Sequence, residues 1–226
     1  MPPSTRESSG EARRARPLPR RFYDRDARIV APELLNKVLV HGRRRGRIVE
    51  VEAYVGDGTD PGSHAHRGPT PRNASMFGSP GHLYVYFTYG MHWCCNAVCD
   101  PVGTASAVLL RAVEPLAGMA ELRAARPVAG REVDLANGPA KLCQAFGIAG
   151  CHDGIDLARP TGGGPTIVDD GFPPPNAPLA SRRIGLSAGA DLPWRWCVPA
   201  SPYVSRPTRS PATVTSPGGS RGSSKL

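Results

Sequence analysis

Proline and glycine recur so often along this chain, 25 and 26 times in 226 residues, that long regular elements have little room. Proline removes a backbone donor and breaks helix interiors, and glycine adds to the entropy cost of any element that contains it. Helix therefore cannot dominate, and loops must join many short elements. A composition of 40% apolar and 21% charged residues is still that of a folded protein, and the length suits about one large domain.

Between these breaks, strand patterns prevail. Residues 37–41 and 47–54 are strand-like and flank a short basic turn over 42–46, which predicts a hairpin. Further strands are expected at 82–89, 94–99 and 107–113, and later at 183–187 and 194–198. Ordered structure is expected to begin near 21–24, with a short helix running through 31–35. A second helix is expected over 116–125, and a third is opened by Gly138-Pro139 and stopped by Gly147. The pattern is α+β: a single compact domain with a mainly antiparallel, curved β-sheet, flanking helices and long loops. The polar stretch 56–81 carries Ser63-His64-Ala65-His66 and Thr70-Pro71-Arg72-Asn73, and a connection of that length reads as functional. Residues 159–180 read as irregular, and Gly162-Gly163-Gly164 within them as a linker, since the strand and helix of a phosphate-binding fingerprint are missing.

The formal charge of +9 is concentrated at the ends, with +4 on residues 1–21 and +3 on residues 207–226, leaving about +2 between them. Global charge is therefore weak evidence for a nucleic-acid face. Residues 1–20 and 207–226 lack apolar periodicity and are expected to be disordered basic tails around a domain over 21–206. No stretch approaches the roughly eighteen apolar residues of a membrane span, and no apolar run follows the first arginines, so a cytoplasmic location is expected. Cys94, Cys95 and Cys99 lie close together while Cys143, Cys151 and Cys197 are dispersed. Without paired zinc-type spacing they read as reduced, mostly buried thiols, and no metal site is expected.

Chemistry enters at Glu50-Val51-Glu52-Ala53-Tyr54 and at Leu83-Tyr84-Val85-Tyr86. On strands, Glu52 and Tyr54 share one face, as do Tyr84 and Tyr86. A carboxylate beside flat rings suits a flat substrate such as a nucleobase, which stacks on aromatic faces. Taken alone, the same residues describe an ordinary sheet, with Glu52 a solvated strand carboxylate.

Several blocks together, in order, resemble the alkyladenine (3-methyladenine) DNA glycosylase family. They are Gly46-Arg47-Ile48-Val49-Glu50-Val51-Glu52-Ala53-Tyr54, Thr70-Pro71-Arg72-Asn73, Met76-Phe77, Pro80-Gly81-His82-Leu83-Tyr84-Val85-Tyr86, Tyr89-Gly90-Met91, Asn96, Val108-Leu109-Leu110-Arg111-Ala112-Val113-Glu114-Pro115, Gly138-Pro139-Ala140-Lys141-Leu142-Cys143-Gln144 and Ser201-Pro202-Tyr203-Val204-Ser205. The resemblance implies that Glu52 activates the water that attacks the deoxyribose carbon. It implies further that Tyr54, Tyr86 and a loop histidine enclose the flipped base. That histidine is assigned to His64, with His66 as its substitute. Asn96 and Arg111 would line the pocket floor, Asn96 disfavouring the exocyclic amino group of guanine; read without the resemblance, the two are sheet hydrogen-bonding or surface salt-bridging residues, an alternative that stays open for Arg111. Tyr89, with Met91 near the same ribbon tip, would enter the duplex and fill the vacated space.

The expected activity is that of a monofunctional glycosylase of base excision repair. It would act as a monomer, without metal or organic cofactor, on double-stranded DNA containing alkylated or deaminated purines. One alternative is a bifunctional glycosylase/lyase, for which only Lys37, Lys141 and Lys225 could supply a side-chain amine. Another is a non-catalytic protein that binds damaged DNA through the same wedge. A helix-hairpin-helix glycosylase fits poorly with a chain read mainly as sheet and loop.

Overall fold

A computed structural model describes residues 15–205. In chain order its elements are β1 (Arg16–Pro17), α1 (Arg20–Tyr23), α2 (Ala27–Leu34), β2 (Val38–His41), β3 (Arg44–Tyr54), β4 (Leu83–Thr88), β5 (His92–Cys99), β6 (Ser106–Ala117), α3 (Met119–Ala125), α4 (Pro139–Phe146), β7 (Thr166–Asp169), β8 (Leu179–Ser181) and β9 (Arg195–Cys197). Single 3-10 turns at Ala74–Phe77, Glu132–Asp134 and Gly150–His152 fill some of the connections.

Every strand pairing is antiparallel, in the order β1-β7-β2-β3-β6-β5-β4, with β9 on β3 and β8 on β9. The central strand is β3. One of its edges pairs with β6 from Arg45 to Tyr54, while β2 takes residues 44–47 and β9 takes 50–52. The fork curls the sheet.

Period-two alternation gives each central strand two unlike faces. Val51, Ala53 and Val55, with Val108 and Leu110 of β6, Cys95 and Ala97 of β5 and Leu83 and Val85 of β4, join the main core together with Val30 and Leu34 of α2 and Leu142 and Phe146 of α4. Each large apolar side chain buried this way contributes roughly 1.5–3 kcal/mol. The intervening residues face the other way. Pairing of Glu52 with Leu109, Leu109 with Asn96 and Asn96 with Tyr84 sets these four in one row across β3, β6, β5 and β4. Strands lie about 4.8 Å apart, so the row spans roughly 14 Å.

Asp26 caps α2 by accepting the backbone N–H of Arg28 at 2.7 Å, and α4 ends on Gly147 at φ 68°. The helix expected over 116–125 begins later, because β6 continues through Pro115 to Ala117 and Gly118, at φ 74°, turns the chain into α3. Residues 183–187 are loop rather than strand, and the strands nearby are β8 and, within the stretch read as irregular, β7. Both are short and are defined by remote partners, β7 pairing with β1 and β2. The expected disordered tail over 1–20 does not hold for its last residues: β1 pairs with β7, Leu18 is 3% exposed, and its N–H donates to Ile167. The rest of both expected tails lies outside the described residues.

Gly56 carries the chain from β3 into the long loop. A Cβ there would sit 1.8 Å from the Thr104 carbonyl oxygen, whereas at Gly130 it would meet nothing within 4 Å. Gly56→Ala should therefore lower unfolding stability by about 1–3 kcal/mol or more, as overpacking does. Gly130→Ala should stay within about 0.5 kcal/mol of the parent. Urea denaturation midpoints of the two variants decide this.

Candidate active site

Glu50 and Glu52 are both 0% exposed. A carboxylate taken from water costs several kcal/mol unless its oxygens are paired, and here Arg111 serves both groups. Its Nε donates to Glu50 Oε1 at 2.8 Å and its Nη1 to Glu52 Oε2 at 3.0 Å. The sheet delivers it there through an irregularity. Glu50 pairs with Ala112 and Val51 with Leu110, so Arg111 is the extra residue of a bulge on β6, a device that re-aims a side chain.

Glu50 also accepts Arg195 Nε at 2.7 Å, Ser205 Oγ at 2.6 Å and the Ser205 backbone N–H at 2.5 Å. Burial alone would raise its pKa, but attraction to Arg111, the Ser205 hydrogen bond and Arg195 outweigh it and hold the carboxyl below its ordinary value. Glu52 is held more lightly: besides Arg111, the Tyr54 hydroxyl donates to Oε2 at 2.8 Å and the Ile184 N–H to Oε1 at 2.8 Å. Burial, and then the negative Glu52, push the Tyr54 phenol well above its usual pKa, so it remains a donor.

A slot lined by Tyr54, Gly62, His64, Met76, Tyr84, Tyr86, Asn96 and Leu186 adjoins this carboxylate through Tyr54, Glu52 itself being buried and outside the lining. Tyr84 and Tyr86, successive on one face of β4, have centroids 5.5 Å apart, and His64 stands edge-on to Tyr86 at 4.5 Å. The His64 Nδ1 lies 3.0 Å from the Tyr84 hydroxyl. Asn73 fixes this histidine from behind, its side-chain amide donating to the His64 and Gly68 carbonyls while its oxygen accepts the Thr70 N–H. Partial burial, then the charge of Arg72, lower the pKa of His64. Asn96 is 4% exposed and donates to the Tyr84 carbonyl at 3.1 Å. The slot has room for only about 50 Å³, against ~300–1,000 Å³ for a typical ligand pocket, so its walls must part to admit a ring.

At the end of β4 the chain turns through Tyr89 and Gly90, at φ 51° and 66°, and closes with the Met91 N–H donating to Thr88. Positive φ at a tyrosine is sterically costly. The turn nevertheless presents Tyr89 at 78% and Met91 at 67% exposure, about three residues or ~10 Å along the strand from Tyr86.

The structure thus brings Glu52, Tyr54, His64, Tyr86 and Asn96 together, with Tyr89 and Met91 at the adjacent hairpin tip. His66 does not line the slot but a neighbouring concavity that shares His64 and Tyr84 with it. Arg111 does not line the slot, as had been expected of it; the bulge turns it under the pocket, where it is 5% exposed and bridges the two glutamates. Glu50, Asp60, Arg183, Arg195 and Ser205 were given no role in the sequence, because the contacts that define them join segments more than 60 residues apart. Among the described residues, no group of three or more His, Cys, Asp or Glu is placed to hold a metal ion. Cys94, Cys95, Cys99, Cys143 and Cys197 are buried free thiols, while Cys151 is an exposed one. No helix among the described residues is long and apolar enough to cross a membrane.

Because the Glu50 carboxyl is more acidic in the folded state, the stability it contributes is present above its ordinary value of 4.5 and is lost as pH falls through the lowered one. Glu50→Gln should flatten the dependence of the urea midpoint on pH in that window. At pH 7, Glu50→Ala should cost about 3–5 kcal/mol, since it leaves Arg111 and Arg195 half-paired. An unchanged acid slope in Glu50→Gln would show that this group is not the one titrating.

The methylpurine-DNA glycosylase family profile matches residues 21–202. A protein of Burkholderia lata named "Putative 3-methyladenine DNA glycosylase" is 60% identical over 191 residues, covering 84% of this chain and 91% of that one. Proteins of the same name from Leifsonia xyli subsp. xyli and Streptomyces avermitilis are 49% and 47% identical over 194 residues each, covering 81% and 84% of this chain and 89% and 91% of theirs. The chain belongs to the methylpurine-DNA glycosylase family, whose members are hydrolases of N-glycosyl bonds.

Proposed function

We propose that this protein removes alkylated or deaminated purines from duplex DNA by flipping the nucleotide into the slot and hydrolysing its N-glycosidic bond with water held by Glu52, leaving an abasic site. The observation that carries this reading is the 2.8 Å hydrogen bond from Tyr54, a wall of the slot, to the buried Glu52 carboxylate. A base stacked on Tyr54 would bring its sugar to the carboxylate. Glu52 Oε1 accepts from Ile184 alone among the described residues, which leaves capacity to take a proton from water.

The chemistry needs little more. A glycosidic bond breaks through a sugar with positive character, which an adjacent carboxylate stabilises while it activates the nucleophile. An alkylated purine that is already cationic departs neutral and needs no acid, whereas a neutral deaminated purine leaves with the bonding pair and takes a proton from solvent as it goes. Between Tyr54, Tyr86 and His64 it gains stacking and cation–π attraction. Asn96, anchored to the Tyr84 carbonyl, offers a fixed amide against which the exocyclic amino group of guanine would be poorly matched. Tyr89, already exposed, would replace the flipped nucleotide in the stack. The partner is duplex DNA and the acting unit one copy of the chain.

A lyase route is disfavoured by the positions of the amines. Lys37 pairs with Asp169 at 2.9 Å and Lys141 bonds Asn137 at 2.7 Å, neither lines the slot, and Lys225 lies outside the described residues. A non-catalytic damage binder would leave the buried, wall-linked Glu52 without a purpose.

Glu52→Gln keeps the shape and removes the base, so excision should fall by roughly 10²- to 10⁴-fold while binding to damaged duplex persists. Single-turnover base release and gel-shift affinity measure the two separately, and near-native turnover would sink the mechanism. Borohydride should trap no protein–DNA adduct; a trapped band that disappears on replacing Lys37 or Lys141 would restore the lyase.

Tyr89→Ala should weaken capture of the flipped nucleotide by roughly 1–3 kcal/mol. Its unfolding midpoint should barely move, since the residue already sits exposed in a strained turn. Loss of folding with normal lesion affinity in the folded fraction would make Tyr89 structural.

A further inference from the structure

Behind the slot stands an ion pair that the mechanism above does not use. The side chains of Arg183 and Asp60 have no exposed surface. Arg183 Nη1 and Nη2 donate to the two Asp60 oxygens at 2.7 and 2.6 Å, and further to the Ala53 carbonyl at 3.0 Å and the Gly189 carbonyl at 2.9 Å. Asp60 in turn accepts the N–H groups of Val55 at 3.3 Å and Gly62 at 2.9 Å. The guanidinium lies 4.6 Å from the centroid of Tyr54 and 5.3 Å from that of Trp194. Since Arg183 does not line the slot and Tyr54 does, the guanidinium covers the ring face turned away from it.

Three segments meet on this pair, and each contributes to the slot: Tyr54 at the end of β3, Gly62 in the long loop, and Leu186 in the loop after Arg183. The fit is tight enough that a Cβ on Gly62 or Gly189 would come within 2.9 Å of Arg183 Nη2. The backbone N–H next to Arg183, that of Ile184, is the one that holds Glu52. Stability alone is a poor reason for the arrangement, because a buried ion pair is rarely better than apolar packing and Arg183 Nε is left buried without a partner among the described residues.

Charge supplies a better one. A base stacked on the open face of Tyr54 would lie about 8 Å from the guanidinium, where an uncancelled unit charge at an effective dielectric near 20 alters affinity on the order of tenfold or more. A bare guanidinium would also draw on the π-density that attracts a cation. We propose that Asp60 is a specificity-determining residue that cancels the Arg183 charge behind the Tyr54 ring, so that the slot accepts positively charged bases. The inference rests on the excision of alkylated purines proposed above.

The test compares full-length wild type, Asp60→Asn and Arg183→Gln in two measurements. One is single-turnover release of 7-methylguanine, a cationic base, from duplex DNA. The other is affinity for the same duplex carrying a tetrahydrofuran abasic site, which has no base. Asp60→Asn uncovers the arginine and should slow release about tenfold or more, while abasic-site affinity stays within about twofold. Arg183→Gln leaves a carboxylate behind the ring and should slow release less than about threefold. Equal losses in both variants, or abasic-site affinity falling in step with release, would reduce the pair to a structural brace and overturn the proposal. Should Asp60→Asn not fold, Arg183→Gln and the double variant carry the test: the lone Asp60 carboxylate should keep release at least about threefold faster than the chargeless pair, and equal rates would overturn the idea. Wild type that releases neither 7-methylguanine nor 3-methyladenine would refute the excision reading itself.

Discussion

The bridge that Arg111 makes between Glu50 and Glu52 is the interaction on which the rest of the site depends. Two carboxylates two residues apart on one strand face repel each other, and both are wholly buried. Without a cation between them, one would have to be protonated or the strand would have to leave the core. The bulge on β6 places Arg111 there, and Arg195 and Ser205 complete the neutralisation of Glu50 from β9 and from the end of the described chain. The division of labour follows from the count of donors. From the described residues Glu50 accepts four hydrogen bonds and Glu52 three, one of them from the slot wall. The first group is a structural anchor, and the second keeps an oxygen with spare accepting capacity beside the slot.

Around that bridge the sheet behaves as a ruler. Its register fixes Glu52, Asn96 and Tyr84 in one row, while His64, in the stretch after β3, and Leu186, in the stretch before β9, line the slot from loops. Strain sits at Tyr89, the most exposed aromatic of the hairpin tip.

Much of this was readable before any coordinates. Alternation along residues 47–54 and 82–89 placed Glu52 with Tyr54 and Tyr84 with Tyr86, because side-chain direction on a strand depends only on parity. The loop histidine was readable as a choice between two, and Asn73, which fixes His64, stood in a recognised block without an assigned task. Parity could not give the register between strands, so it could not reveal that a bulge turns Arg111 beneath the pocket. Asp60 and Arg183 lie 123 residues apart, and each alone reads as a surface charge. The expected strand at 183–187 illustrates the same limit: Ile184 and Leu186 suggest alternation, but the Ile184 backbone N–H is spent on Glu52, the Leu186 side chain on the slot and the Arg183 side chain on Asp60. At the amino-terminal end, Leu18 was hidden among prolines and arginines, and only pairing with β7 accounts for its burial.

The central claim is that a buried, singly purposed carboxylate makes this fold a catalyst rather than a receptor for damaged DNA. Chromatographic detection of free base from a duplex carrying 3-methyladenine, with the DNA strand examined before and after alkali, tests it most directly. The account expects intact 3-methyladenine in solution and a strand that stays whole until alkali cuts it at the abasic site. Tight retention of the damaged duplex with no base released would contradict it.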